Sequence, residues 1–325
     1  MDLRLALYEL AAEHRLDAQG MERLQQLGGL RDEPASLRHW LPRGVAVLAA
    51  ALGGLGIVFW VAANWDTLGQ FGRFALLQGV VTVMCLGALW RPAARIPLGL
   101  LALLGIGGLF AYFGQTYQTG ADPWQLFVLW AALALPLCLG VRSDVLWAPW
   151  ALVAVTGAAL WVQAHTGHRW RVEPDDLRAH LMGWSAALAV VGALSAPLRP
   201  TTGAGDWALR TALTLAVVMI TATALGGLFM RDTAWHYGLG LVVLALAAVV
   251  LAQPSWFDVF GLSAVALGLN TLVVAGLGRL LFETHGSGDL IGRLLLLGVV
   301  AAGLLAASVT GVSRLARRHA APGAT

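Results

Sequence analysis

A chain of 325 residues that is 58% hydrophobic and only 12% charged is too apolar for a water-soluble domain, where charged residues alone make up about a quarter, so its solvent is a bilayer. The net charge of +3 is small and spread over the loops, which excludes a nucleic-acid footprint and a polybasic lipid patch. All 21 basic residues are Arg, and the two cysteines, Cys85 and Cys138, offer neither a disulfide framework nor a zinc spacing and read as packing thiols.

Residues 2–27 carry two short amphipathic patterns, Leu3, Leu7 and Leu10 on one face and then Met21, Leu24 and Leu27, with Asp17 as an N-cap between them. Each stripe is too short to hold an isolated helix. The pair is therefore expected to pack on itself, on the membrane domain, or on a membrane or envelope partner. No cleavable signal peptide is expected ahead of the first apolar run, which serves as an uncleaved anchor.

From Arg43 to Arg314 the chain is a succession of apolar stretches, each near the roughly 20 residues that cross a hydrocarbon core. Ten spans are predicted: 44–64, 71–89, 96–114, 124–141, 145–164, 180–196, 207–229, 234–252, 256–277 and 289–312. Short joints at 142–144 and 253–255 require helical hairpins, and 180–196 is the shortest stretch. The expected fold is all-α: a polytopic integral membrane bundle of about ten helices over 44–313, preceded by a cytoplasmic helical hairpin and linker over 1–43 and followed by a cytoplasmic tail over 314–325.

Arginine placement sets the orientation, because basic residues near span ends resist translocation. With a cytoplasmic N-terminus, 14 arginines fall inside and 7 outside (Arg73, Arg169, Arg171, Arg178, Arg231, Arg279 and Arg293). An even number of spans returns the C-terminus to the cytoplasm, and the expected location is a bacterial inner membrane. Trp65, Trp90, Trp124, Trp147, Trp161, Trp207, Trp235 and Trp256 lie near predicted span ends, the depth at which indoles anchor a membrane protein. Glycines inside the spans, such as Gly53, Gly54 and Gly56, read as close helix packing.

Two polar clusters are predicted on the outer face. One is Asn64, Trp65 and Asp66 at the end of the first span; the other runs from Gly114 through Gln115, Tyr117 and Asp122 to Trp124. Their donors, acceptors and aromatic faces suit a small-molecule pocket at a bundle mouth. Equally, Asp66 and Asp122 are the residue types that cap helices and turns. The surrounding segments, FWVAANWD from Phe59 to Asp66 and FGQTYQTGADPWQLFVLWAALALP from Phe113 to Pro136, resemble the signature stretches of domain-of-unknown-function family 2157, a family of bacterial predicted membrane proteins. The resemblance covers about the first 165 residues and implies a short helical start; the family supplies no reaction and no catalytic residues.

His165, His168, His180, His236 and His285 are predicted on the outer face with several carboxylates. Imidazole and carboxylate suit a divalent metal, but only His165 and His168 are close in sequence, and polar loop positions are the expected role. Within the spans the notable polar residues are Gln78, Thr82, Thr211, Thr214, Thr221, Thr223, Ser263, Asn270 and Thr271. Asn270, nearest mid-depth, reads either as interhelical packing or as a substrate contact. Walker, dinucleotide, nucleophile-elbow and zincin motifs are absent; no cofactor is expected.

The leading expectation is a non-enzymatic membrane protein with an outer pocket built from Asn64, Trp65, Asp66, Gln115, Tyr117, Asp122 and Trp124, for a small ligand or an envelope partner. The alternative is a small-molecule carrier of two inverted five-span halves dividing near residue 170, with a cavity reaching Asn270.

Overall fold

The computed structural model describes residues 9–10, 12–17, 19–21, 23, 35–64, 67, 69–117, 120, 122–167, 172–283 and 290–320. Every regular element among them is helical. Residues Met1–Gly56 form one compact unit and Ile57–Thr325 another.

In the first unit helical residues flank Asp17. The His14 N–H donates to the Leu10 carbonyl, and Arg15 turns left-handed at φ 47° to end the first helical stretch. Asp17 Oδ1 then accepts the Gly20 N–H at 2.8 Å, the N-cap read from the sequence. Leu3, Leu7, Leu24 and Leu27 lie outside the described residues. Helix α1, Ala35–Ala63, begins before the predicted residue 44, and its stretch Trp40–Ile57 is long and apolar enough to cross a membrane.

The second unit holds α2 (Gln70–Trp90), α3 (Arg95–Tyr117), α4 (Pro123–Val141), α5 (Asp144–His165), α6 (Leu177–Ala193), α7 (Asp206–Leu228), α8 (Trp235–Leu251), α9 (Val259–Glu283) and α10 (Leu290–Ala320). Each predicted span thus corresponds to one helix. Eight of the ten, α1 included, meet the length and hydropathy of a crossing. The stretch predicted at 180–196 breaks at Leu194 and Ser195, and the helical segments on either side bend by 53°. Pro197 and Pro200 just beyond the break cannot continue the ladder. The expectation for 234–252 is corrected: α8 spans only 17 residues, Trp235–Leu251, short of the usual ~20.

Helices α5 and α7 form the centre. Helix α5 packs on α3, α4, α6 and α7, while α7 also packs on α6, α8 and α9; α10 lies against α9. Small residues permit these approaches: a Cβ on Gly107 would fall 2.3 Å from the Trp130 ring, and one on Gly183 2.3 Å from Val162. Cys138 is fully buried, in keeping with a packing thiol.

Several indoles do something other than anchor. Trp90, Trp207 and Trp235 are 88%, 69% and 78% exposed, as anchoring requires. Trp147, expected among them, is buried at 2% and its Nε1 donates to the Thr202 carbonyl at 2.9 Å. Trp130 and Trp150 donate to the Leu103 and Ala131 carbonyls on neighbouring helices at 2.9 and 2.8 Å. Buried indole N–H groups need a partner, and a helix carbonyl is the acceptor at hand.

Candidate functional site

The two ends of the second unit are built differently. Where α5 and α7 begin, the polar groups are bound to one another. The Asp144 carboxylate accepts the backbone N–H groups of Gly205, Trp207 and Ala208 at 3.0, 2.8 and 2.9 Å, capping α7 from another helix because its own N-cap residue is a glycine. The Arg142 guanidinium donates to the Pro200 carbonyl. Arg199 pairs with Asp206 at 2.5 Å and Arg210 with Asp258 at 3.0 Å. Asp258 in turn accepts the Gly261 N–H at 2.7 Å, holding the start of α9.

Where α5 ends and α6 begins, a cavity of about 370 Å³ opens between α5, α6 and α7, a size within the usual range of ~300–1,000 Å³ for small-molecule sites. Val155, Ala159, Leu160, Leu215 and Met219 give it apolar walls, and Thr156, Gln163, Thr166, His180 and Thr223 supply the polar groups. Val218, one of its lining residues, is 58% exposed on α7.

Three of these groups, Thr223, Thr166 and His180, are placed to accept. Thr223 Oγ1 donates its proton to the Met219 carbonyl at 2.7 Å, and Thr166 Oγ1 to the Gln163 carbonyl at 3.3 Å. His180 Nδ1 lies 3.0 Å from the Asp176 carbonyl, which can only accept, so Nδ1 carries a proton, and the tautomer with that single proton leaves a lone pair on Nε2. Each of these side chains therefore has acceptor capacity left and its own proton engaged.

Behind His180 lies His236, at 0% exposure, with ring centroids 4.9 Å apart and the planes edge to face. Both His236 ring nitrogens are buried without a hydrogen-bond partner. The ring fits there because residue 227 is glycine: a Cβ at Gly227 would sit 2.7 Å from the His236 Cβ.

A second cavity, about 720 Å³, runs between α9 and α10 and includes Asn270 in its wall. Asn270 and Ser308 satisfy each other, Asn270 Nδ2 donating to Ser308 Oγ at 3.0 Å and Ser308 Oγ to Asn270 Oδ1 at 3.2 Å. That pairing is the interhelical role read as one alternative from the sequence.

Of the other candidate residues, the described ones, Asn64, Gln115, Asp122, Trp124 and His165, line neither cavity. Asn64 follows α1, its Nδ2 donating to the Trp60 carbonyl at 2.9 Å and its own carbonyl accepting from Thr67 Oγ1 at 2.9 Å. Gln115 is exposed on the last turn of α3. Asp122 occupies the N-cap position of α4, with no cap bond from its carboxylate. Trp124 has a buried Nε1 without a partner and a ring 6.2 Å from His165. Trp65, Asp66 and the side chain of Tyr117 lie outside the described residues, as do His168 and His285. His165 stacks on Trp161 at 4.1 Å, and its Nδ1 lies 2.8 Å from the Trp161 carbonyl. No group of three or more metal-ligating side chains occurs among the described residues.

The segments that carry the family resemblance can now be placed: they hold the end of α1, the end of α3 and most of α4. Residues 8–147 match the model of DUF2157, described as a predicted membrane protein. No curated protein and no solved structure matches the chain. The DUF2157 match ends in the first turn of α5, and the lining of both cavities begins beyond it. Sequence reasoning missed the α5–α7 cavity because its polar residues are scattered over three different helices and the turn after α5.

Proposed function

We propose that this protein is a non-enzymatic bacterial inner-membrane protein that takes a small amphipathic ligand from the bilayer into the cavity beside His180. The carrying observation is the make-up of the cavity: apolar walls, with the exposed Val218 among them, and hydroxyl and imidazole groups with acceptor capacity to spare. Such a site favours an uncharged alcohol, phenol or amide with an apolar body, because none of the lining side chains is charged. The excess of arginines at one set of loop positions supports cytoplasmic termini, which puts the His180 end on the periplasmic side.

The test is a thermal-shift series in detergent with long-chain alcohols and their methyl ethers, which lack the O–H donor. Wild type is expected to shift with the alcohols and little with the ethers. His180→Phe abolishes the difference and leaves the unliganded midpoint near wild type; an equal response to both series, or one that survives the substitution, refutes the reading.

A second reading, a carrier of two five-helix halves, is favoured by one observation: the cavity lies where α5 meets α6 and α7, the seam of a division near residue 170. The cavity reaching Asn270 belongs wholly to the second half. Uptake of the shifting alcohol into vesicles containing the protein, above empty vesicles, distinguishes a carrier from a binding protein.

A further inference from the structure

The cavity between α9 and α10 has a polar group at each end and an apolar floor between them, and the two ends are not alike. Asn270 is hydrogen-bonded to Ser308 through both its amide nitrogen and its amide oxygen. At the other end stands Arg279, whose side chain is only 10% exposed. Its Nε pairs with Glu283 at 2.8 Å and its Nη2 donates to the Arg231 carbonyl at 2.9 Å, while Nη1 is buried without a partner. A buried guanidinium N–H with no acceptor is costly, since the group has given up water without gaining a partner. Val274, Gly278, Leu297 and Leu305 line the stretch between the two ends.

The dimensions say what fits. Asn270 lies midway along α9, and Arg279 is nine residues further on, which at 1.5 Å per residue is roughly 14 Å. That is about half of a ~30 Å hydrocarbon core, so the groove runs from mid-depth to the headgroup level of one leaflet. Among its lining residues Leu267 and Leu305 are 59% and 52% exposed, so the groove is open along its apolar length. Arg279 and Glu283 are the charged residues among its described lining. Glu283 is 60% exposed, so its carboxylate can swing aside for a competing oxyanion.

We propose that this groove is a binding site for an anionic phospholipid, with one acyl chain along the apolar floor and the phosphodiester on Arg279. The lipid phosphate supplies the acceptor that the guanidinium lacks, as a charge-assisted hydrogen bond. This site is separate from the His180 cavity and does not depend on its ligand.

The experiment is native mass spectrometry of the full chain, delipidated in detergent and titrated with phosphatidylglycerol or phosphatidylcholine of the same acyl composition. Wild type is expected to retain phosphatidylglycerol roughly tenfold better. Arg279→Gln removes that preference and Glu283→Gln strengthens it, opposite signs that a folding defect would not produce. Ala301→Phe, which fills the floor, weakens retention of both lipids. Equal retention of the two lipids by wild type, unchanged preference in Arg279→Gln, or an Ala301→Phe effect on oligomeric state with lipid retention intact would overturn the assignment, the last placing a second copy of the chain in the groove.

Discussion

Asp144 serves two helix starts at once, and removing its carboxylate is the sharpest test of how the Arg142 end is held. It sits in the first turn of α5, where negative charge is favoured, and it reaches across to three N–H groups at the start of α7. A hydrogen bond to a charged acceptor contributes about 1.5–3 kcal/mol. The Trp207 bond is solvent-exposed and is discounted; the Gly205 and Ala208 bonds are partly buried. Measured N-cap losses of about 0.5–2 kcal/mol set the floor. Asp144→Ala should therefore lose about 3 kcal/mol, and Asp144→Asn about 1 kcal/mol, because Asn caps nearly as well as Asp but forgoes the charge. The geometry adds a coupling. A Cβ at Gly205 would lie 2.7 Å from the Asp144 carboxyl and 3.1 Å from its Cβ, so Gly205→Ala should destabilise wild type by about 1–3 kcal/mol and cost less, though not nothing, once Asp144 is Ala. Equilibrium unfolding in mixed micelles, followed by tryptophan fluorescence, reads all four corners of the cycle. Additive losses, or an Asp144→Ala protein within about 0.5 kcal/mol of wild type, would refute the trans-cap.

Three further outcomes are expected from the same unfolding assay. Gly107→Ala drives a Cβ into the Trp130 ring and should cost about 1–3 kcal/mol, whereas Gly192→Ala, with nothing within 4 Å, should be neutral or gain up to about 1 kcal/mol from helix propensity. His236→Leu replaces two buried unpartnered nitrogens and should be neutral or stabilising by about 1–3 kcal/mol; a large loss would mean that those nitrogens have a partner. For Asn270→Ala and Ser308→Ala the double-mutant cycle should give a coupling of about 0.6 kcal/mol, not above about 1.7, and a larger value would exclude simple packing.

Much of the fold was legible because a bilayer enforces one rule, that backbone groups in hydrocarbon must be satisfied within helices, and an apolar stretch of sufficient length then has only one conformation open to it. The ten predicted stretches coincide with ten helices for that reason. Asp17 could be read as a cap because side chain and target are three residues apart. Asp144 could not, since its targets are 61 to 64 residues away. Trp147 was misread for a related reason: a tryptophan at a span end is an anchor if it faces lipid and a joint if it faces another helix, and only packing decides. The candidate pocket rested on two polar clusters, each contiguous in sequence, one around Asn64 and the other around Asp122. Asn64 Nδ2 is bonded to the carbonyl of its own helix, while the polar groups that share a cavity, Gln163, His180 and Thr223, come from separate helices and carry no local signature.

The asymmetry between the two ends bears on where a ligand can act. Around Arg142, charged and capping groups are matched in pairs, so a ligand arriving there must displace bonds worth several times RT before making its own. At the opposite end His236 is buried without partners, Arg279 retains an unpaired N–H, and the cavity beside His180 has acceptors to spare. Unsatisfied groups raise the energy of the empty state, and whatever satisfies them binds with that energy in its favour. A fold this well tied at one end can tolerate the cost at the other. For the same reason, substitutions at the His180 end should alter ligand response more than stability, while those at the Asp144 end should do the reverse, and comparing the two sets in one protein separates binding machinery from scaffold.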